Sequence, residues 1–65
     1  MNVTVNGGDR EVAAGSTVAD VVRQTSSAAR GIAVALNGEV VPRADWSRRL
    51  SEADRVEILV ASQGG

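Results

Sequence analysis

Val18, Val21, Val22 and Thr25 recur at i, i+3, i+4 and i+7, the stripe of one amphipathic helix. Most other apolar residues of this 65-residue chain fall in short alternating segments. A lone amphipathic helix cannot bury its own stripe, so it must lie across a sheet made by those segments. Valine is a weak helix former, which makes this helix dependent on that packing. Thr17 is the expected N-cap, with Asp20 three residues on as an acidic variant of the capping box, and Ser16 is an alternative cap one residue earlier. Asp20, Arg23 and Gln24 fall on the solvent side.

The strands follow from period-two patterns. Residues 2–6 place Val3 and Val5 on one face. Asn6-Gly7-Gly8-Asp9 then signals a hairpin, because φ > 0 costs least at Asn and Gly. Its return strand is expected over 10–14, with Val12 inward. Residues 26–30 form a polar exit from the helix, and Gly31 is a candidate left-handed stop or turn. Ile32, Val34 and Leu36 alternate in a third strand that leads into Asn37-Gly38, the preferred pair of a type I′ turn. The next strand, 39–41, is cut short by Pro42 and belongs at a sheet edge. Residues 44–50 read as irregular, with a helical turn carrying Trp46 and Leu50. A turn at 51–54 precedes the last strand, 55–60, with Val56, Ile58 and Val60 on one face. The expected class is α+β: a mixed sheet of about five strands with one main helix on one face. Residues 1–60 form the single domain, and 61–65 form a flexible tail.

Composition narrows the function. A domain this small buries only about 60% of the surface its unfolded chain exposes, which leaves no room for a deep walled pocket. The chain has no His, Cys, Tyr, Phe or Lys. It therefore lacks a thiolate, an imidazole base and a side-chain amine, and no residue is expected to be catalytic. No metal site is expected either, since only carboxylates are on offer and neither Asp54 nor Glu57 has ligand spacing. Seven arginines face eight acids without clustering, and Trp46 is the sole aromatic, so nucleic acid is not an expected partner. Arg43, Arg48, Arg49 and Arg55 read as solvated charge, and Trp46 as a satellite core anchor. No apolar run approaches the ~20 residues of a membrane span, and the first residues lack signal-peptide order. The expected compartment is the cytoplasm, and the expected free state a monomer.

What chemistry remains lies at the end, Gln63-Gly64-Gly65. At an average glycine usage of roughly 7%, two terminal glycines arise by chance in about 0.5% of chains. Glycine lets backbone pass through a narrow channel. From Ala61 to Gly65 the tail spans at most roughly 17 Å, enough to enter a neighbouring active site while the body stays outside. Leu59 and Ala61 face opposite to Val56 and Ile58. With Ala33 and Ala35 they are candidates for an apolar docking patch on the open face of the sheet, beside the tail.

The segment Val34-Ala35-Leu36-Asn37-Gly38-Glu39-Val40-Val41-Pro42-Arg43, then Trp46, Asp54-Arg55-Val56-Glu57-Ile58-Leu59 and Gln63-Gly64-Gly65, resembles the ThiS family, the sulfur carriers of thiamine biosynthesis. Val3-Thr4-Val5-Asn6-Gly7 and Gly15-Ser16-Thr17-Val18-Ala19-Asp20 resemble it too. The resemblance implies a ubiquitin-like β-grasp fold, with first and last strands parallel and central. It implies that a ThiF-type E1-like enzyme adenylates Gly65 with its own ATP and magnesium, so that this chain binds no cofactor. A sulfur-transfer protein would then yield a thiocarboxylate, and a ThiG-type thiazole synthase would take the sulfur. The rivals are a molybdopterin synthase small subunit, a cysteine-synthesis carrier, a ubiquitin-like protein modifier and a passive interaction module.

Overall fold

The computed structural model describes residues 1–26 and 31–61. Five strands form one sheet: β1 (Asn2–Val5), β2 (Gly8–Glu11), β3 (Ile32–Leu36), β4 (Glu39–Val40) and β5 (Arg55–Val60). Their order is β2-β1-β5-β3-β4, and only the β1–β5 pair is parallel. The helix α1 (Val18–Thr25) covers one face. Val18, Val21 and Val22 pack there with Val3, Val34, Leu36, Val56 and Ile58, and Val12, Val41, Trp46 and Leu50 close the margins. Each fully buried valine contributes about 1.5–2 kcal/mol of apolar transfer energy. This is the β-grasp arrangement, with first and last strands side by side in the middle of the sheet.

The helix begins where the sequence places it. Thr17 Oγ1 accepts the Asp20 N–H at 3.2 Å, and Asp20 Oδ2 accepts the Thr17 N–H at 2.9 Å, a complete capping box. The two remaining free donors of the first turn are met from a distant loop. Val18 N–H donates to the Arg48 carbonyl at 3.0 Å and Ala19 N–H to the Trp46 carbonyl at 2.9 Å. Thr17→Ala removes one half of the box and is expected to cost about 1 kcal/mol. Thermal denaturation would show this as a fall of roughly 4–8 °C in a domain of this size. The Asp20 carboxyl is held below its ordinary value of 3.8, first by the Thr17 backbone N–H, then by the Thr17 hydroxyl and by Arg23. A lowered folded-state pKa means that the contribution is present above 3.8 and is lost as pH falls through the lowered value. Asp20→Asn should therefore remove that part of the acid-limb slope.

Four details refine or correct the sequence expectations. β2 starts at Gly8 and ends at Glu11, where residues 10–14 were expected. Asn6 and Gly7, with φ of 51° and 83°, complete a two-residue turn by themselves, so Gly8 already pairs with Val5. Val12 is buried as expected. The helix is capped by Ser26 in extended backbone, so Gly31 is not its stop, but Gly31 has the expected left-handed backbone, at φ 76°, just before β3. Residues 27–30 of the expected polar exit lie outside the described residues. Val60 keeps the face expected of it but is 51% exposed, where it pairs with Ile32 at the end of β5. Trp46, expected as a satellite anchor, is part of the main core at 8% exposure, and its Nε1–H donates to the Val41 carbonyl at 3.1 Å. Around it, residues 43–45 make one 3₁₀ turn, and Leu50 is buried.

Candidate functional site

The side of the sheet opposite α1 carries the described part of the candidate site. The β3–β5 register sets Ala33 opposite Leu59 and Ala35 opposite Glu57, and the β3–β4 register sets Val40 opposite Ala35. Residues directly opposite share a face, so these side chains stand together. They line a shallow groove of about 340 Å³ with Asn6 and the backbone of Val34. Leu59 is 71% exposed and Val40 77%, values that leave large apolar surface in water.

Three of the four expected patch residues, Leu59, Ala33 and Ala35, therefore meet in one groove. Ala61 is exposed at the end of β5 and lies outside the groove lining, its N–H held by the Gly31 carbonyl at 2.6 Å. Val40 was missed by the sequence reading, although its signal was available. A two-residue turn at Asn37-Gly38 fixes Val40 opposite Ala35 and so on the open face. Gln63, Gly64 and Gly65 lie outside the described residues. The groove sits at the same end of β5 from which the chain runs on toward them.

Both turn asparagines do more than turn the chain. Asn37 Oδ1 accepts the Arg55 N–H at 2.9 Å, and its Nδ2 donates to Asp54 Oδ1 at 3.0 Å. Asn6 bonds the Ile58 backbone twice. Asp54 also accepts the Ser51 N–H through Oδ2 at 2.7 Å, so both its oxygens serve the turn before β5. Among the described residues, no three of His, Cys, Asp and Glu come together as a metal site. Arg23 is paired with Asp20, and Arg43 stacks over Trp46 with its guanidinium carbon 5.0 Å from the ring centre. Among the described residues, no helix is long and apolar enough to cross a membrane.

Among the described residues the arrangement offers an apolar groove on the open face of the sheet, near the end of β5. The sequence matches the ThiS family over residues 3–65. It is 29% identical over 66 residues to the sulfur carrier protein ThiS of Escherichia coli (strain K12), covering all of both chains. The fold is similar to the crystal structure of the thiamine biosynthesis protein (ThiS) from Geobacter metallireducens. That match has a TM-score of 0.80 and 35% identity and covers all of both chains.

Proposed function

The chain belongs to the ThiS family, and from that membership we propose that it carries sulfur for thiamine biosynthesis on the carboxylate of Gly65. The observation that carries this reading is a family match running through residue 65, and so through Gly64-Gly65. A carboxylate is a poor electrophile until one oxygen becomes a good leaving group. A Gly65 oxygen attacks the α-phosphorus of ATP, pyrophosphate leaves, and an acyl-adenylate forms. The terminal sulfur of a persulfide on a sulfur-transfer protein then attacks the carbonyl carbon and AMP leaves. A thiol cleaves the resulting acyl disulfide, forming a disulfide with the transfer protein and releasing the thiocarboxylate. A ThiG-type thiazole synthase consumes it. ATP and magnesium belong to the ThiF-type activating enzyme, and the cycle runs in the cytoplasm, where ATP is made available to it. The chain itself supplies an address and an arm. Its lack of His, Cys and Lys supports that division of labour.

The deciding test is intact mass before and after incubation with a ThiF-type enzyme, ATP, magnesium and a sulfur donor. A gain equal to exchanging one oxygen for sulfur supports the carrier reading. No gain with any thiamine-type enzyme ends it, and covalent adducts on target lysines would indicate a protein modifier instead. Copurification with a thiazole synthase, as against a molybdopterin synthase large subunit, separates the pathways.

The open-face groove is the proposed docking surface for the activating enzyme. Leu59→Glu puts a charge in its centre. Leu59 is already 71% exposed, so stability should stay within about 0.5 kcal/mol of the parent. Affinity for the activating enzyme should fall about tenfold or more, as when an apolar anchor is lost from an interface centre. A titration with unchanged affinity would remove the groove from the docking surface.

A further inference from the structure

β1 pairs with β5 only at Thr4–Arg55 and Val5–Val56 before its backbone turns away at Asn6 and Gly7. β5 runs on to Val60. Its bonds to the β3 side alternate: Asn37 N–H reaches the Arg55 carbonyl at 2.7 Å, and Ala61 N–H reaches the Gly31 carbonyl. Residues 55, 57, 59 and 61 thus turn their polar backbone groups toward β3, and Val56 and Ile58 turn theirs toward β1. The Val56 carbonyl is met by the Asn6 N–H at 2.9 Å. Opposite Ile58 there is no β1 backbone left. The Asn6 side chain stands in its place. Oδ1 accepts the Ile58 N–H at 2.7 Å, and Nδ2 donates to the Ile58 carbonyl at 3.2 Å. One side-chain amide thereby reproduces a peptide group and lengthens the parallel pairing. Asn6 can do this at φ 51°, a conformation that Asn tolerates better than other side chains.

We propose that Asn6 is a positioning residue for the C-terminal arm. It gives β5 a partner on both flanks as far as Ile58, and so fixes the direction in which the chain leaves the sheet toward Gly65. The inference rests on the carrier reading above. Without the clamp, β5 past Val56 is held by β3 alone, and a looser arm must be ordered each time it enters a partner's channel, which weakens binding. Asn6 also lines the groove beside Leu59, so the clamp ties the docking face and the root of the arm into one rigid unit.

The test uses the full chain and three variants. Asn6→Gly keeps the positive φ and removes the clamp. Asn6→Asp keeps an acceptor for the Ile58 N–H but sets a carboxylate against the Ile58 carbonyl. Asn37→Gly removes the matching clamp at Arg55, far from the arm. Amide hydrogen exchange on the free chains should show Ile58 exchanging roughly tenfold faster in Asn6→Gly, the factor one lost hydrogen bond is worth. In loading by a ThiF-type enzyme, both Asn6 variants should raise the KM for the carrier about threefold or more at unchanged kcat. Asn37→Gly should leave KM at the parent value. Unchanged Ile58 exchange in folded Asn6→Gly, or equal KM for the Asn6 and Asn37 variants, would overturn the proposal. A parent chain that is not loaded at all would overturn the carrier reading, while Ile58 exchange would still decide the clamp.

Discussion

Deleting Gly65 is expected to lower sulfur loading by at least about 100-fold while leaving the melting curve where it was. Gly65 has no side chain, so the deletion takes no apolar group out of the chain. Its stability effect should stay within about 0.5 kcal/mol. The chemical effect comes from reach. One residue spans ~3.3–3.6 Å, so the new carboxylate at Gly64 stops that far short of the nucleotide. Reacting atoms must come within about 3–3.5 Å, and a misplacement of about 1 Å can cost a hundredfold. Adding one alanine after Gly65 should fail in the same way, by overshooting. Gly65→Ala keeps the carboxylate at the right distance and adds only a Cβ, so its loss should be smaller. In cells the deletion should abolish growth without thiamine, and the parent gene should restore it. A truncated chain loaded at the parent rate would mean that the working group lies elsewhere.

The sequence and the structure agree most closely where local chemistry decides. Thr17 and Asp20 specify a helix start by themselves, and the capping box forms as read. The pair Asn37-Gly38 specifies a two-residue turn, and this fixes which residues of β3 and β4 stand opposite each other. The misses arise where the outcome depends on distant partners. Nothing near Asn6 in sequence says that Ile58 will lie beside its amide, because that follows from β1 and β5 being neighbours. Trp46 looked peripheral because its surroundings are irregular. Its burial depends on α1 accepting the 46–48 loop at its first turn. Val60 fits the apolar alternation of β5, but alternation assigns a face and cannot say how deeply each residue on it is buried. Gly64-Gly65 is read from its chemistry without a fold, and it lies outside the described residues.

Replacing Trp46 by alanine is expected to leave the chain largely unfolded at 25 °C. Truncating a buried tryptophan costs about 3–5 kcal/mol, and a core in a domain this small rarely supplies more than about 3–5 kcal/mol in all. Three attachments are lost or loosened together. The ring fills the core at 8% exposure, its Nε1–H holds the Val41 carbonyl just after β4, and its own carbonyl holds the Ala19 N–H at the helix start. The last is a backbone bond, which alanine could keep only if the loop stayed in place without its anchor. Trp46→Phe separates the contributions. It retains most of the apolar contact and leaves the Val41 carbonyl without its donor, at a cost of about 1–3 kcal/mol. The Arg43 stacking adds only about 0.5–1 kcal/mol at an exposed arginine. Far-UV circular dichroism is the right readout, since the chain has no Tyr or Phe and the substitution removes its one fluorophore. The contrast with Leu59, at 71% exposure, is what makes the experiment decisive. If alanine at position 46 melts with the parent while Leu59→Glu unfolds, the helix-side face is not the core. The open face would then be the buried one, and the docking surface would have to be sought on the side now assigned to α1.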